Sequence, residues 1–196
     1  MKAFYLVLIG LIVLLLFSGI NTNNRLVEKE ETVNGAWAQV ENQYQRRSDL
    51  IPNLVNTVKG AANFEEETLT SVIEARSKAT SVQINATDLN NPQKFQQFQE
   101  AQSQLSGALS RLLVSVERYP ELKANQNFRD LQTQLEGTEN RIATERKRFN
   151  DAAQGYNTSV RKFPASVWAG IFGFDQKAYF QAEAGADAAP NVDFGN

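Results

Sequence analysis

At 196 residues, with 42% hydrophobic residues and a formal net charge of -2, the chain has material for one ordinary core and no global basic field to hold nucleic acid. It contains no Cys and no His. That excludes thiol catalysis, disulfides, the usual zinc ligand sets and the side chain most used for proton transfer near neutral pH.

The first element, Ala3 to Ile20 (AFYLVLIGLIVLLLFSGI), carries no charge over about the length a bilayer crossing requires. The alternative is a cleaved secretory signal with Lys2 as its basic start. The apolar run is long for that, and Ser18-Gly19-Ile20 lacks a small-x-small cleavage site. No Cys follows that could take a lipid. The expectation is an uncleaved single-pass anchor over 1–24. Positive charge nearly balances across it, Lys2 on one side and Arg25 and Lys29 on the other. A short amino-terminal tail before a large domain favours the amino end inside and the domain outside the cytoplasm.

From Leu26 to Gly60 an amphipathic helix follows. Val33, Trp37, Val40, Tyr44, Arg47, Ile51, Leu54 and Val58 fall on one stripe at alternating spacings of three and four. Arg46 and Arg47 precede Asp49 and Pro52, so a charge sits near the seam beside a lost backbone hydrogen bond, and a kink or local opening is predicted there. A second helix begins near Glu65-Glu66-Glu67, acids that suit a first turn, and presents Phe64, Leu69, Val72, Ile73, Ala79 and Val82. After the polar loop Asn85 to Pro92, a third helix carries Phe95, Phe98, Leu105, Leu109, Leu112, Val116 and Tyr119 and stops before Pro120. The fourth has the cleanest heptad: Phe128, Leu131, Leu135, Thr138, Ile142, Glu145, Phe149, Ala152, Tyr156 and Phe163. Within it Asn140 is expected to meet Arg47 or Asp49 across the bundle, making Arg46, Arg47, Asp49 and Asn140 a structural polar seam.

The first and fourth helices are longer than the second by roughly 20 Å, so they are predicted to project towards the membrane as a two-helix stalk. Leu26, Val33, Ala153, Tyr156, Val160 and Phe163 would line it. Two helices bury such a seam poorly, and self-association or a partner is the expected cover. Next comes Pro164 to Phe174 (PASVWAGIFGF), too short to span but apolar and aromatic. Two readings stand for it. In one, Trp168, Ile171 and Phe172, with Arg161 and Lys162 before them, form a second membrane foothold facing anionic headgroups. In the other, the aromatics close the bundle and the charges are solvated. From Gln181 onward the periodicity ends, and a disordered tail is expected over 181–196.

No catalytic constellation is legible. The three consecutive glutamates face different directions on a helix, Ser48 lacks a base, and no phosphate-binding glycine loop is present. No catalytic, cofactor or metal residue is therefore assigned.

Three blocks carry a family likeness: WAQVENQYQRR with DLIPNLVNTVKG from Trp37 to Gly60, YPELKANQNFRDLQTQLEGTENRIA from Tyr119 to Ala143, and YN then FP at Tyr156-Asn157 and Phe163-Pro164. Taken in that order they resemble the LemA family of bacterial membrane-anchored proteins and span most of Leu26 to Phe180. The fold implied is all-α. An N-terminal transmembrane helix is followed by an antiparallel up-down-up-down four-helix bundle over 25–180, with a short apolar helix at 165–175. The likeness also implies an accessory protein of the bacterial cell membrane, active in envelope maintenance. A membrane-bound protease is among its expected partners, and one branch serves membrane-organelle formation. The function expected is thus a non-enzymatic, membrane-anchored scaffold or adaptor that self-associates or touches membrane proteins. The alternative is an envelope sensor that binds a small ligand within the bundle.

Overall fold

The computed structural model describes residues 2–60 and 64–181. Six α-helices occur among them: α1 (Lys2–Lys59), α2 (Glu66–Ser81), α3 (Pro92–Val116), α4 (Pro120–Ala124), α5 (Gln126–Arg161) and α6 (Ala165–Phe172), with one 3-10 turn at Ala86–Asp88. No strand is present among the described residues. The apolar N-terminal stretch and the first bundle helix are one element. α1 runs unbroken for 58 residues, about 87 Å at 1.5 Å per residue.

Local chemistry sets the other boundaries. Asn91 caps α3, its side-chain oxygen accepting from the amides of Gln93 and Lys94, with Pro92 as the first helical residue, where a missing amide costs nothing. Asn125 does the same for α5 through the Phe128 amide. Between the third and fourth expected helices, Pro120–Ala124 forms the short α4, which buries Leu122.

Two hydrophobic clusters fill the bundle. The one further from the N-terminal stretch joins Ile51, Leu54 and Val58 of α1 to Leu69 and Val72 of α2, Leu109 and Leu112 of α3, and Phe128 and Leu135 of α5. The nearer one joins Leu26, Val33, Trp37 and Val40 of α1 to Phe95 and Phe98 of α3 and Ile142, Phe149 and Tyr156 of α5. Cluster membership gives the chain directions. α1 and α3 run from the near cluster to the far one, and α5 runs back, with α2 returning to Ile84 in the near cluster. This is the expected up-down-up-down order. The stripe on α1 is buried throughout, whereas Ile73, expected on the inner face of α2, is exposed.

Pro52 lies inside α1. Proline brings no amide to the carbonyl four residues earlier, which is that of Ser48. The α2 side chain of Arg76 supplies the missing donor, its Nε–H bonding the Ser48 carbonyl at 2.9 Å. Arg76→Leu is therefore expected to cost about 1 kcal/mol by orphaning that carbonyl. In a Pro52→Ala background the helix recovers its own amide and the cost should vanish. A double-mutant cycle on unfolding midpoints measures the difference, and additive effects would refute the link.

Candidate functional site

The α1/α5 seam is where the sequence placed an uncovered edge. Leu26, Val33, Ala153, Tyr156 and Val160 do lie together on it, and every one is buried within this single chain. The uncovered stalk is thus corrected: the chain sheathes the seam itself. After α6, Gly173 turns the backbone at a φ of 79°, a left-handed value that glycine adopts without strain. Residues 174–181 then run without helix back over the seam, as a strap. Phe163, the sixth residue assigned to the seam, is not on it; 84% of its surface is exposed.

Side-chain amides hold the strap by its backbone. Asn157 donates to the Lys177 carbonyl and accepts from the Lys177 amide, both at 2.8 Å. Asn150 pairs in the same two-way fashion with Phe180, at 3.0 and 2.9 Å. Gln99 of α3 does so with Gln181, at 2.9 and 3.3 Å. Between these clamps the Ala178 amide donates to the Leu89 carbonyl. Phe180 enters an aromatic box, its ring centroid 6.1, 4.8 and 5.6 Å from those of Trp37, Phe95 and Phe149. The Trp37 indole N–H donates to the Ile84 carbonyl at 3.2 Å, so the box is anchored on the far side as well. Lys177, itself buried, pairs with Glu30 at 2.6 Å and lies 5.5 Å from the centre of the Tyr156 ring. Burial, with Glu30 and Asp175 nearby, pushes the Tyr156 phenol well above its ordinary value, so the group is neutral at any physiological pH. Gln181, expected to open the tail, is the last clamped residue; the rest of that tail, 182–196, lies outside the described residues.

The polar seam shrinks to one of its four residues. Arg47 is buried, and its guanidinium reaches Glu139 at 2.7 Å, Ser106 at 2.8 Å and the Gln102 side chain. Gln102 in turn donates to the Ala79 carbonyl, so a single cation ties α1 to α3 and α5 and, through Gln102, to α2. Arg46, Asp49 and Asn140 are exposed, and Asp49 is engaged by Gln45 of its own helix at 2.7 Å. The partner across the bundle is Glu139, one residue before the one expected. One residue is about 100° around a helix, which separates a core-facing from a solvent-facing side chain. Beside Arg47 opens a cavity of about 560 Å³, to which Glu139, Arg146 and Tyr44 also contribute. The Arg47 Nε is buried there with no hydrogen-bond partner among the described residues.

At the other end, α6 lies against α1 where the apolar stretch finishes. The Trp168 ring packs on Gly19 so closely that a Cβ at residue 19 would sit 3.0 Å from it. Phe172 stacks on Trp168 with the rings at 17°. Trp168 is half-buried by this contact, but Val167, Ile171 and Phe172 point outward, Ile171 with 64% of its surface exposed. Arg161 and Lys162 are exposed beside Phe163. The two readings of this segment thus divide by face: one side of α6 closes against α1, and the other leaves Val167, Ile171 and Phe172 exposed, as Phe17 and Ile20 of α1 are. α1 is long and apolar enough in its first part to cross a membrane.

A sequence model of the LemA family matches residues 36–194. Protein LemA of Metamycoplasma hominis is 25% identical over 179 residues, covering 91% of this chain and 76% of that protein. Magnetosome protein MamQ 2 of Paramagnetospirillum magneticum is 32% identical over 80 residues, covering 41% of this chain and 29% of that protein. Magnetosome protein MamQ of Magnetospirillum gryphiswaldense is 30% identical over a stretch of the same length. Neither LemA nor MamQ is an enzyme's name, and together with the apolar N-terminal helix these likenesses support a membrane-anchored protein.

Proposed function

The chain belongs to the LemA family, and from that premise we propose that it is a non-enzymatic, membrane-anchored scaffold or adaptor of the bacterial envelope. The observation that carries the reading is the junction at Gly19, where α6 docks against an α1 that continues without a break from the apolar stretch into the bundle. A rigid rod with a second apolar foothold beside it fixes the height and tilt of the bundle over the bilayer. A protein that acts by presenting surfaces to neighbours needs that fixed geometry. In this reading the bundle faces out of the cytoplasm from the inner membrane. Because the seam is covered, self-association or contact with a membrane protein such as a protease uses the lipid-facing side of α1 and the outer face of α6. Photo-crosslinkers at Val167 and Ile171 of the full chain in native membranes test this. A ladder of self-crosslinked species is expected for a scaffold and one stoichiometric partner for an adaptor; labelled lipid alone would dismiss both.

The foothold has its own test. A chain lacking residues 1–24 is expected to float with anionic liposomes and to lose most of that binding when Trp168 and Phe172 become alanine. If the parent chain stays at the bottom of the gradient, α6 is no foothold.

A ligand-binding sensor is the second reading, and the cavity beside Arg47 favours it: a space of about 560 Å³ is lined in part by Arg47, whose Nε is buried without a partner among the described residues, and its size is in the range of small-molecule sites. Native mass spectrometry of protein extracted from membranes should then find one added small molecule, lost in Arg47→Met. A bare mass would remove this reading.

A further inference from the structure

We propose that the chain binds the phosphate headgroup of an anionic phospholipid in a recess between α1 and α5, one turn beyond the apolar stretch. The recess measures about 570 Å³ and is bounded by Arg25 and Lys29 on α1 and by Lys162, Phe163 and Pro164 where α5 ends. Three cations converge on it. Among the described residues, the side chains of Arg25 and Lys162 have no hydrogen-bond or ion-pair partner, and the Lys29 side chain makes only a long bond of 3.4 Å to the Gly155 carbonyl. The acid on the rim, Asp151, is already engaged by Lys147 at 2.7 Å. The recess is therefore a site of unneutralised positive charge, with donors free to take a phosphate.

Its height selects the ligand. Asn21 and Thr22 form its lower edge, directly after the last apolar residue of the stretch, Ile20. Arg25 lies about 8 Å further along α1, at the outer margin of the headgroup layer, and Lys29, about 14 Å along, is placed to reach back towards it with its long side chain. Phe163, almost fully exposed on the same rim, gives an acyl chain an apolar surface to lie against. A phosphodiester joined to acyl chains satisfies charge, depth and apolar rim together, whereas a soluble phosphate satisfies only the first. The proposal rests on the membrane-proximal reading of α6 given above.

Trp168 reports on the site. It packs on Gly19, two residues below the recess, while Trp37 lies 18 positions further along the same helix, about 27 Å away and out of reach of quenchers in the acyl region. Full-length chain is placed in phosphatidylcholine vesicles containing a minor fraction of brominated lipid, either phosphatidylglycerol or phosphatidylcholine. Brominated phosphatidylglycerol is expected to quench Trp168 more strongly, corresponding to at least about fivefold local enrichment, the effect of a single basic group near a charged surface. The excess should disappear in Arg25→Gln/Lys162→Gln and survive in Lys59→Gln, which removes an exposed charge at the far end of α1. Equal quenching by the two lipids, or an excess that persists in the double variant, overturns the headgroup site while leaving the foothold standing. Loss of the excess on adding millimolar glycerol 3-phosphate overturns the lipid in favour of a soluble phosphate ester. No quenching of Trp168 by either lipid defeats the foothold and this proposal with it.

Discussion

Arg47→Ala is expected to lower stability by about 3–5 kcal/mol, the range for emptying a large, fully buried position. For a chain of this size that is a fall of roughly 10 °C in the unfolding midpoint. The loss has two sources. A side chain with 1% exposure leaves a void where α1, α3 and α5 meet, and Gln102 and Ser106 lose the cation they are turned towards. Arg47→Met refills part of the void and leaves the polar atoms stranded, so it should fall between wild type and alanine. Glu139 behaves differently. With 41% of its side chain exposed, water replaces much of what it offers the guanidinium, and Ser106 and Gln102 remain in place. Glu139→Gln should therefore cost no more than about 1 kcal/mol. Thermal unfolding of the four proteins in one detergent gives the ranking. An alanine variant as stable as wild type would mean that Arg47 contributes nothing to joining the helices.

That arginine also marks how far the sequence could be read. Its place on the stripe from Val33 to Val58 was legible because a period of three and four is a backbone property, and every residue of that stripe is buried. Its partner was not, because the expected Asn140 and the actual Glu139 differ by one step on a helix whose rotation no local pattern fixes that finely. The bond from Arg76 to the Ser48 carbonyl had half a signal: Pro52 announces an orphaned carbonyl, but nothing nearby says which residue of another helix will reach it. Five of the six residues named for the seam are buried together in one cluster, and the difference lies in what covers them. A cover made of helix would have left a period. The strap is extended and recognised through its backbone, so its own sequence, Asp175 to Gln181, carries little trace of the contact beyond the lone Phe180. The readable trace was on the other side. Asn150 and Asn157 are seven residues apart, two turns of one helix and so on one face, in a heptad where amides are poor helix formers.

Removing the strap is expected to restore the uncovered edge and the association that goes with it. Phe180→Ala empties the aromatic box between Trp37, Phe95 and Phe149, a loss of about 3–5 kcal/mol where the site cannot collapse. Much of that loss is paid only if the strap stays in place, so the cheaper route for the variant is to let the segment go. Leu26, Val33, Ala153 and Tyr156 then lose the cover of the strap and form a more exposed apolar strip, with Ala169 of α6 still packed in the same cluster. A second copy offers the same strip, and a symmetric pairing of two such edges is the simplest way to bury both. A chain ending at Gly173 should accordingly run as a dimer or larger species in light-scattering measurements in detergent, against a smaller species for the full chain. Asn157→Leu gives the same result more mildly: it removes both hydrogen bonds to Lys177 and leaves that residue's amide and carbonyl unsatisfied, each costing about 1–3 kcal/mol if it remains buried. Adding a peptide of residues 174–181 to the shortened chain should dissolve the association, because the clamps of Asn150, Asn157 and Gln99 are still present to receive it. If the shortened chain keeps the size of the full one, the strap is not what keeps the seam from a second copy.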